Sequence, residues 1–377
     1  MSNTAPKKKT RNSSVELLRI IALLFIIFSH YCVHGGVAPG NLGFGLNQYL
    51  LQIFVLGNLG VVIFVLLSGY FLIESKFKVQ RLLQLLLQVF FYSICIFLVF
   101  WGCGLEEFHI AKLIKAIFPT VFKQYWFFTA YVVLYLLFPY LNKLFHALNQ
   151  KQHLIFLAIF LFVWSVIPSF TNVYKYNMYG SEIPQFILFY AIGAYLRTYP
   201  LNGKIEKKVG AVLTVFCTVF LWGSTLFFDW RGQTDSNDYK YITYCFERNS
   251  IFIILLGVGL FFIFKNIKMK NNAFINGVAS CVFGVYLFHE NQYMRPFLWR
   301  ELFQNSRFAE SPYLILHMLG CVLSVFVLGT IIDWIRQKAI EKPILKLMNR
   351  VVPPISEKVK SVCLSINNRI FEKYSAT

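Results

Sequence analysis

Long apolar segments recur ten times along this chain, and they restrict its fold more than any other feature. A helix needs roughly 20 mostly apolar residues to cross a bilayer. Charged residues are only 14% of the 377 residues, so a water-soluble fold could not bury this much apolar surface. The sequence therefore predicts an all-α membrane protein, a bundle of about ten transmembrane helices with no soluble domain. The predicted segments are 15–34, 50–73, 82–102, 125–145, 154–170, 183–198, 209–229, 249–265, 275–292 and 313–335.

Basic residues are concentrated on one side of the predicted membrane. With the N-terminus in the cytoplasm, 26 of the 36 Lys and Arg residues fall on the inner side. The positive-inside rule then predicts ten helices in a cell membrane, with both termini cytoplasmic and no nucleic-acid partner. The chain divides into a basic cytoplasmic segment 1–14, a transmembrane domain 15–335 and a basic cytoplasmic tail 336–377. Within the tail, the spacing of apolar residues over 357–374 predicts an amphipathic helix on the bilayer surface.

Three polar residues in the first apolar segment are candidates for chemistry. Arg19 and His30 are eleven positions apart, which places them on one helical face, roughly 16 Å apart along the axis. Glu16 lies three residues before Arg19 and can pair with it. The arginine could bind phosphate and the histidine could act as a general base. Alternatively, Arg19 extends to the membrane interface and His30 caps the outer helix end.

Four motifs in the chain resemble, in the same order, those of the integral-membrane acyltransferase family 3. In that family the first helix carries an arginine, ten residues and a histidine; the later motifs are Gly-Val with Ser-Gly-Tyr, Trp-Phe with Tyr-Leu-Leu-x-Pro, and Tyr-Leu-x-His. The matching segments are Glu16-Leu-Leu-Arg19-Ile-Ile-Ala22 with His30, Gly60-Val-Val-Ile-Phe64-Val-Leu-Leu-Ser68-Gly69-Tyr70, Tyr125-Trp126-Phe127 with Tyr135-Leu-Leu-Phe-Pro139, and Val285-Tyr-Leu-Phe-His289.

The sequence departs from the family at the basic pair that enters the third helix. The family usually has Arg-x-x-Arg there, whereas this chain has Arg81 followed by Gln84. Lys78 and Arg81 form another basic pair, so two assignments of the phosphate-contacting pair remain open. The histidine often found before Trp-Phe is Tyr125 here.

The remaining candidates are polar or aromatic residues of the matching motifs. Ser68, Tyr70 and Trp126 are candidates for lining a substrate pocket, although Ser68 lacks the Gly-x-Ser-x-Gly context of a nucleophile. His289 is a site candidate through the resemblance. His289-Glu290 also begins like a zinc-protease HExxH motif, but position 293 is tyrosine, and no metal site is predicted. His34 is expected to be a loop or interface residue.

The resemblance implies transfer of an acyl group, most often acetyl, from coenzyme A to a hydroxyl of a carbohydrate or lipid-linked glycan. Acetyl-coenzyme A would be a substrate, and no bound cofactor is expected. Glu16, Arg19, Lys78 and Arg81 would form the donor-binding region, and His30 would be the catalytic base or an acyl carrier. The alternatives are a transporter or flippase for a glycan-related substrate and, less well supported by the loops, a glycan polymerase.

Overall fold

A computed structural model describes residues 11–37, 47, 50–51, 54–171, 182–341 and 343–344. These residues form helices, turns and loops, and they contain no β-strand. The predicted amphipathic helix at 357–374 lies outside the described residues. The main helices are α1 (Ser13–Gly35), α2 (Gly57–Leu72), α3 (Val79–Gly102), α4 (Ile110–Ile117), α5 (Trp126–Ala147), α6 (Gln150–Leu161), α7 (Glu182–Thr198), α8 (Gly203–Thr234), α9 (Ile251–Lys265), α10 (Ala273–His289) and α11 (Leu314–Arg336). Short π-helical, 3₁₀ and α segments are Phe162–Val166, Ile167–Phe170, Ser236–Tyr241, Tyr244–Phe246, Met294–Pro296, Phe297–Leu302, Asn305–Phe308 and Gln337–Glu341.

The chain is a multi-pass membrane protein. Within the described residues, seven helical stretches are long and apolar enough to cross a bilayer, or eight if a bent pair counts as one span. A helix lies in each of the ten predicted segments, but α2 and α7 have only 16 and 17 residues. The predicted count of about ten spans is therefore not confirmed by length and composition.

The two short helices α2 and α7 pack against each other through glycines. A Cβ added at Gly69 would fall on the backbone of Tyr190, and one added at Gly193 would fall on the carbonyl of Leu66. Small residues allow membrane helices to approach this closely. In lipid the hydrophobic effect does not drive helices together, so the van der Waals contacts of closely packed backbones stabilise the pair instead. The pair α2–α7 therefore forms part of the buried centre of the bundle.

Two apolar cores flank the first helix. One contains buried residues of α2, α5, α7 and α9, and the other contains buried residues of α3, α10 and α11; α1 contributes to both. Helix α8 instead exposes apolar side chains such as Val215 and Val219, which are 63% and 65% exposed. Apolar side chains in contact with lipid carry no burial penalty. These surfaces indicate that α8 lies at the periphery, while α1 lies between the two cores.

Helices α1 and α10 begin side by side. The side chain of Asn12 caps α1 at the backbone NH of Ser14, and that of Asn272 caps α10 at the NH of Ile275. Each cap satisfies an NH group that the helix itself leaves free. The Ser13 hydroxyl accepts a hydrogen bond from the Asn272 backbone NH at 2.8 Å. The two helices therefore start at the same level and run in the same direction.

Helix α10 ends abruptly after His289. The chain turns at 290–293 and resumes in the segment Met294–Phe308, whose axis is bent by 93° from that of α10. Asn291 stabilises the turn, because its side chain accepts from the Tyr293 backbone NH at 2.9 Å and donates to the Tyr125 hydroxyl at 2.9 Å. The predicted helix 275–292 therefore stops three residues earlier in the structure, and Glu290 lies in the turn.

Candidate functional site

A cavity of about 430 Å³ lies between the two apolar cores. Its walls come from α1, α2, α3, α5 and α10, and the end of α11 with the turn Gln337–Glu341 contributes at one end. The residues of α1 that line it extend from Glu16 to His30, so the cavity follows this helix for most of its length. Polar and apolar side chains share the lining, as is typical of a small-molecule site.

Four arginines line the end of the cavity near the start of α1: Arg11, Arg19, Arg81 and Arg336. The Arg19 guanidinium pairs with Glu16 at 3.0 Å and lies 5.4 Å from the centroid of the Phe71 ring. Arg81 has no ion-pair partner among the residues that the structure describes. This end can therefore bind an anion, since planar guanidinium groups suit phosphate oxygens.

Arg336 is held in a buried network at the same end. Its guanidinium is 2.7 Å from Asp333 and 2.7 Å from Glu341. Asp333 is fully buried and also accepts hydrogen bonds from the Tyr92 hydroxyl at 2.9 Å and the Gln88 amide at 3.2 Å. Because two acids already pair with Arg336, its charge is less available to a ligand than that of Arg81.

His30 lies at the opposite end of the cavity and contacts the end of α10. Its Nδ1 is 3.0 Å from His289 Nε2 and 3.2 Å from Glu290 Oε2. His30 lies 17 residues after Ser13, the first residue of α1, which is about 26 Å along the helix axis. His289 lies 16 residues after Ala273, the first residue of α10, which is about 24 Å. The common start and nearly equal rise bring two histidines 259 positions apart into contact.

The hydrogen bonds fix which ring nitrogen of each histidine carries the proton. The carbonyl of Val285 only accepts, so His289 Nδ1 donates to it, at 2.6 Å. A neutral His289 then offers Nε2 as an acceptor, which makes His30 Nδ1 the donor between the two rings. His30 Nε2 is left with the lone pair and has no hydrogen bond to any described residue. An unprotonated nitrogen at the end of a cavity is suited to act as a base.

Glu290 connects a second histidine and an arginine to this site. Its Oε2 is 3.4 Å from His34 Nε2, and its Oε1 is 3.5 Å from Arg295. Glu290 is 2% exposed, so these charged and polar groups compensate for its burial. His30, His34 and Glu290 each offer one ligand atom, and these atoms lie within 4.8 Å of one another. This is the group of described residues that could hold a metal ion.

The structure brings most of the predicted site residues to the cavity. Glu16, Arg19, His30, Ser68, Arg81 and Trp126 line it. His289 is fully buried behind His30, and the Ser68 hydroxyl donates to the Phe64 carbonyl of its own helix at 2.9 Å.

Besides His289, two further predicted residues do not line the cavity. Lys78 lies just before α3, where its backbone carbonyl accepts from the Tyr135 hydroxyl at 3.3 Å. Tyr70 is covered by Arg197, whose guanidinium carbon is 5.3 Å from the ring centroid. Of the two candidate pairs, Arg81 and Gln84 both line the cavity, whereas only Arg81 of the basic pair Lys78 and Arg81 does.

Sequence reasoning missed Glu290, His34, Arg295 and Arg336. Glu290 was considered only as part of a metalloprotease motif that fails at Tyr293. A signal was nevertheless present, because an acid directly after a histidine at the end of an apolar segment is expensive there unless it is paired. Asp333 and Arg336 gave a similar signal, as an opposite-charge pair three residues apart at the end of the last apolar segment.

Comparison with known protein families gives one match. The sequence matches the family model described as an acyltransferase domain over residues 12–334, which includes Arg19 and Arg81 of the cavity, His30 and Glu290. No curated protein and no solved structure matches the chain.

Proposed function

Because this chain belongs to acyltransferase family 3, we propose that it transfers an acyl group, most often acetyl, from acyl-coenzyme A to a hydroxyl of a carbohydrate or lipid-linked glycan. The observation that carries the proposal is the position of His30 at the far end of a cavity lined by arginines, in contact with His289 and Glu290. The arginines supply a site for the phosphates of the donor, and the histidine supplies a base.

The donor binds with its phosphates at the arginine end. Arg19 and Arg81 are the principal contacts, because Arg336 is already paired with two acids. Glu16 holds Arg19 at 3.0 Å and so fixes the direction of its guanidinium. The rise from Arg19 to His30 is roughly 16 Å, a length that the extended arm between phosphate and thioester of coenzyme A can follow. The thioester then lies near His30.

His30 takes a proton from the acceptor hydroxyl. As His30 Nε2 accepts this proton, the hydroxyl oxygen attacks the thioester carbonyl, the new C–O bond forms and the C–S bond breaks. The proton passes from His30 to the departing sulfur, which leaves as coenzyme A. In a second route His30 Nε2 itself takes the acyl group and passes it to the acceptor. Both routes need the unprotonated Nε2 that the hydrogen-bond chain provides.

Glu290 and His289 act as positioning residues. His289 accepts the proton of His30 Nδ1 at 3.0 Å, which keeps the proton on that nitrogen, and the Glu290 carboxylate lies 3.2 Å from the same atom. When His30 becomes positively charged, the carboxylate of Glu290 stabilises it, as the acid does in a serine-protease triad. Arg295 holds the other oxygen of Glu290 and so fixes the direction of the carboxylate.

We further propose that the chain crosses a cell membrane ten times, with both termini in the cytoplasm. Helices α2 and α7 are about 24 and 26 Å long, somewhat shorter than the hydrocarbon thickness of roughly 30 Å. They pack together in the buried centre, where neighbouring helices rather than lipid cover their ends. The concentration of Lys and Arg on one side supports this orientation, which also places the arginine end of the cavity at the cytoplasmic side, where coenzyme A is made.

Measuring donor binding by the purified protein distinguishes the proposed acyltransferase from a transporter. Purified protein incubated with radioactive acetyl-coenzyme A should bind the donor. When membranes that supply the acceptor are added, free coenzyme A should be released and the radioactive acetyl group should appear in a glycan fraction. Unlabelled coenzyme A should compete for the site, while free acetate should not. A carrier would move its substrate across vesicles without splitting the thioester. Failure to bind acetyl-coenzyme A and a longer-chain acyl-coenzyme A would contradict the proposal.

A further inference from the structure

We propose that His30, His34 and Glu290 form a binding site for a divalent transition-metal ion, best suited to Zn²⁺, and that this ion inhibits the enzyme. The three ligand atoms lie within 4.8 Å of one another at the junction of α1 and the turn after α10. Two imidazole nitrogens and one carboxylate oxygen are a usual protein ligand set for zinc.

Two of the three distances between the ligand atoms are close to those that zinc requires. Bonds of roughly 2.0–2.2 Å in a tetrahedral site place neighbouring ligand atoms about 3.3 Å apart. In the structure, Glu290 Oε2 is 3.2 Å from His30 Nδ1 and 3.4 Å from His34 Nε2. His289 Nε2, 3.0 Å from His30 Nδ1, lies beside this group. An ion can therefore bind with small side-chain rotations.

Glu290 Oε2 provides independent support for a ligand at this position. The atom is buried, and it accepts no hydrogen bond from any described residue, although both histidines lie within ion-pair distance. A buried carboxylate oxygen without a donor is unfavourable, and a bound cation would satisfy it. Arg295 contacts only the other oxygen, Oε1, at 3.5 Å, so it leaves Oε2 free to face the ion.

Surrounding contacts hold the ligands in place, as outer-shell groups do in metal sites. The Arg300 guanidinium donates to the His34 backbone carbonyl at 3.0 Å, which fixes the end of α1. The His30 and His34 side chains are 16% and 22% exposed, so an ion has a path to the site. The positive charge of Arg295 opposes a cation, and we therefore expect reversible binding in the micromolar range rather than a permanent structural ion.

The inhibitory effect follows from the two nitrogens of the His30 imidazole. The inhibition, unlike the metal site, rests on the proposed function. A metal ion on His30 Nδ1 displaces the proton from that nitrogen. The neutral ring then carries its proton on Nε2, the nitrogen that is not in contact with His289 or Glu290. His30 can no longer accept a proton from the acceptor hydroxyl or take the acyl group. The ion thus inhibits transfer without occupying the donor site.

The test uses purified full-length protein that has been treated with a chelator. Calorimetric titration with Zn²⁺ should show one site, and Co²⁺ should give the visible absorption of a nitrogen- and oxygen-bound ion in the same site. His34→Gln should weaken Zn²⁺ binding by about tenfold or more, because one ligand is lost. His109→Gln is the matched control, since His109 lies in an outer loop with its side chain 58% exposed, and it should bind as the wild type does.

The outcomes separate the site from its effect. Added Zn²⁺ should stop coenzyme A release by the wild type, and chelator should restore it, with acetyl-coenzyme A binding unchanged. No saturable Zn²⁺ or Co²⁺ binding, or equal binding by the His34→Gln and His109→Gln variants, would overturn the site. Binding at this site with an unchanged release rate would overturn the inhibition. If Zn²⁺ binds at one site but the metal-free wild type transfers no acyl group, the metal site stands and the proposed function fails.

Discussion

Replacing Glu290 with glutamine measures what the carboxylate contributes when His30 becomes charged. The two side chains have nearly the same shape, so the change removes one negative charge 3.2 Å from His30 Nδ1. At an effective dielectric constant of 20, a full charge pair at this distance is worth about 5 kcal/mol. The glutamine carbonyl can still accept a hydrogen bond, which retains part of this energy. We therefore expect the transition state to lose about 2–3 kcal/mol.

This loss corresponds to a decrease in kcat of about 30-fold to 160-fold. The assay is the rate of coenzyme A release at saturating acetyl-coenzyme A, with the donor dissociation constant measured on the same preparation. We propose that the donor phosphates bind at the other end of the cavity, so donor binding should change little. Glu107→Gln is the control, because this acid lies before α4 with its side chain 87% exposed, and it should keep wild-type kcat.

Two results would refute this reasoning about Glu290. A decrease in kcat smaller than about threefold would mean that the carboxylate does not stabilise charge on His30. A rise in the donor dissociation constant with unchanged kcat would place Glu290 in donor binding instead.

Three further predictions concern the donor site, the packing and the topology. Arg19→Ala should weaken acetyl-coenzyme A binding by about tenfold or more, since a charge-assisted phosphate contact is worth roughly 1.5–3 kcal/mol, and unchanged binding would exclude the contact. Gly193→Ala should lower the Tm of the purified protein, because overpacking costs about 1–3 kcal/mol. Gly277→Ala should not lower it, because there is open space around Gly277. Equal Tm values for the two variants would argue against the tight α2–α7 contact. Reporter fusions after Ser236 and after Lys360 should report opposite sides of the membrane, and the same side for both would contradict the ten-span topology.

The features that sequence could predict are local to one helix. Arg19 and His30 share a face because eleven residues make slightly more than three full turns, and the structure places both in one cavity. The bounds of α1 also follow from the chain, where Asn12 caps its start and Gly36, with φ of 75°, ends it. Periodicity and end signals act within about four residues, so they need no knowledge of the rest of the fold.

The features that sequence could not predict depend on which helices are neighbours. In the predicted topology, the first and ninth segments both start at the cytoplasmic side. Nothing in the sequence said that α1 and α10 touch, and their contact joins positions 259 apart. The turn that brings Glu290 back to His30 depends on Asn291 and Tyr125, also from different segments. Lys78 and Arg81 differ in the same way, because only the packing of α3 decides which one faces the cavity.

The most direct test of the account is the single-turnover rate of coenzyme A release by the His30→Gln variant. Glutamine keeps a similar size and can hydrogen-bond, but it cannot act as a base near neutral pH. General base catalysis supplies about 10²–10⁴-fold, so the rate should fall by at least about a hundredfold. Binding of labelled acetyl-coenzyme A, measured on the same sample, should stay near the wild-type value. If the variant binds donor and retains substantial turnover, His30 has a structural role and the proposed mechanism is wrong.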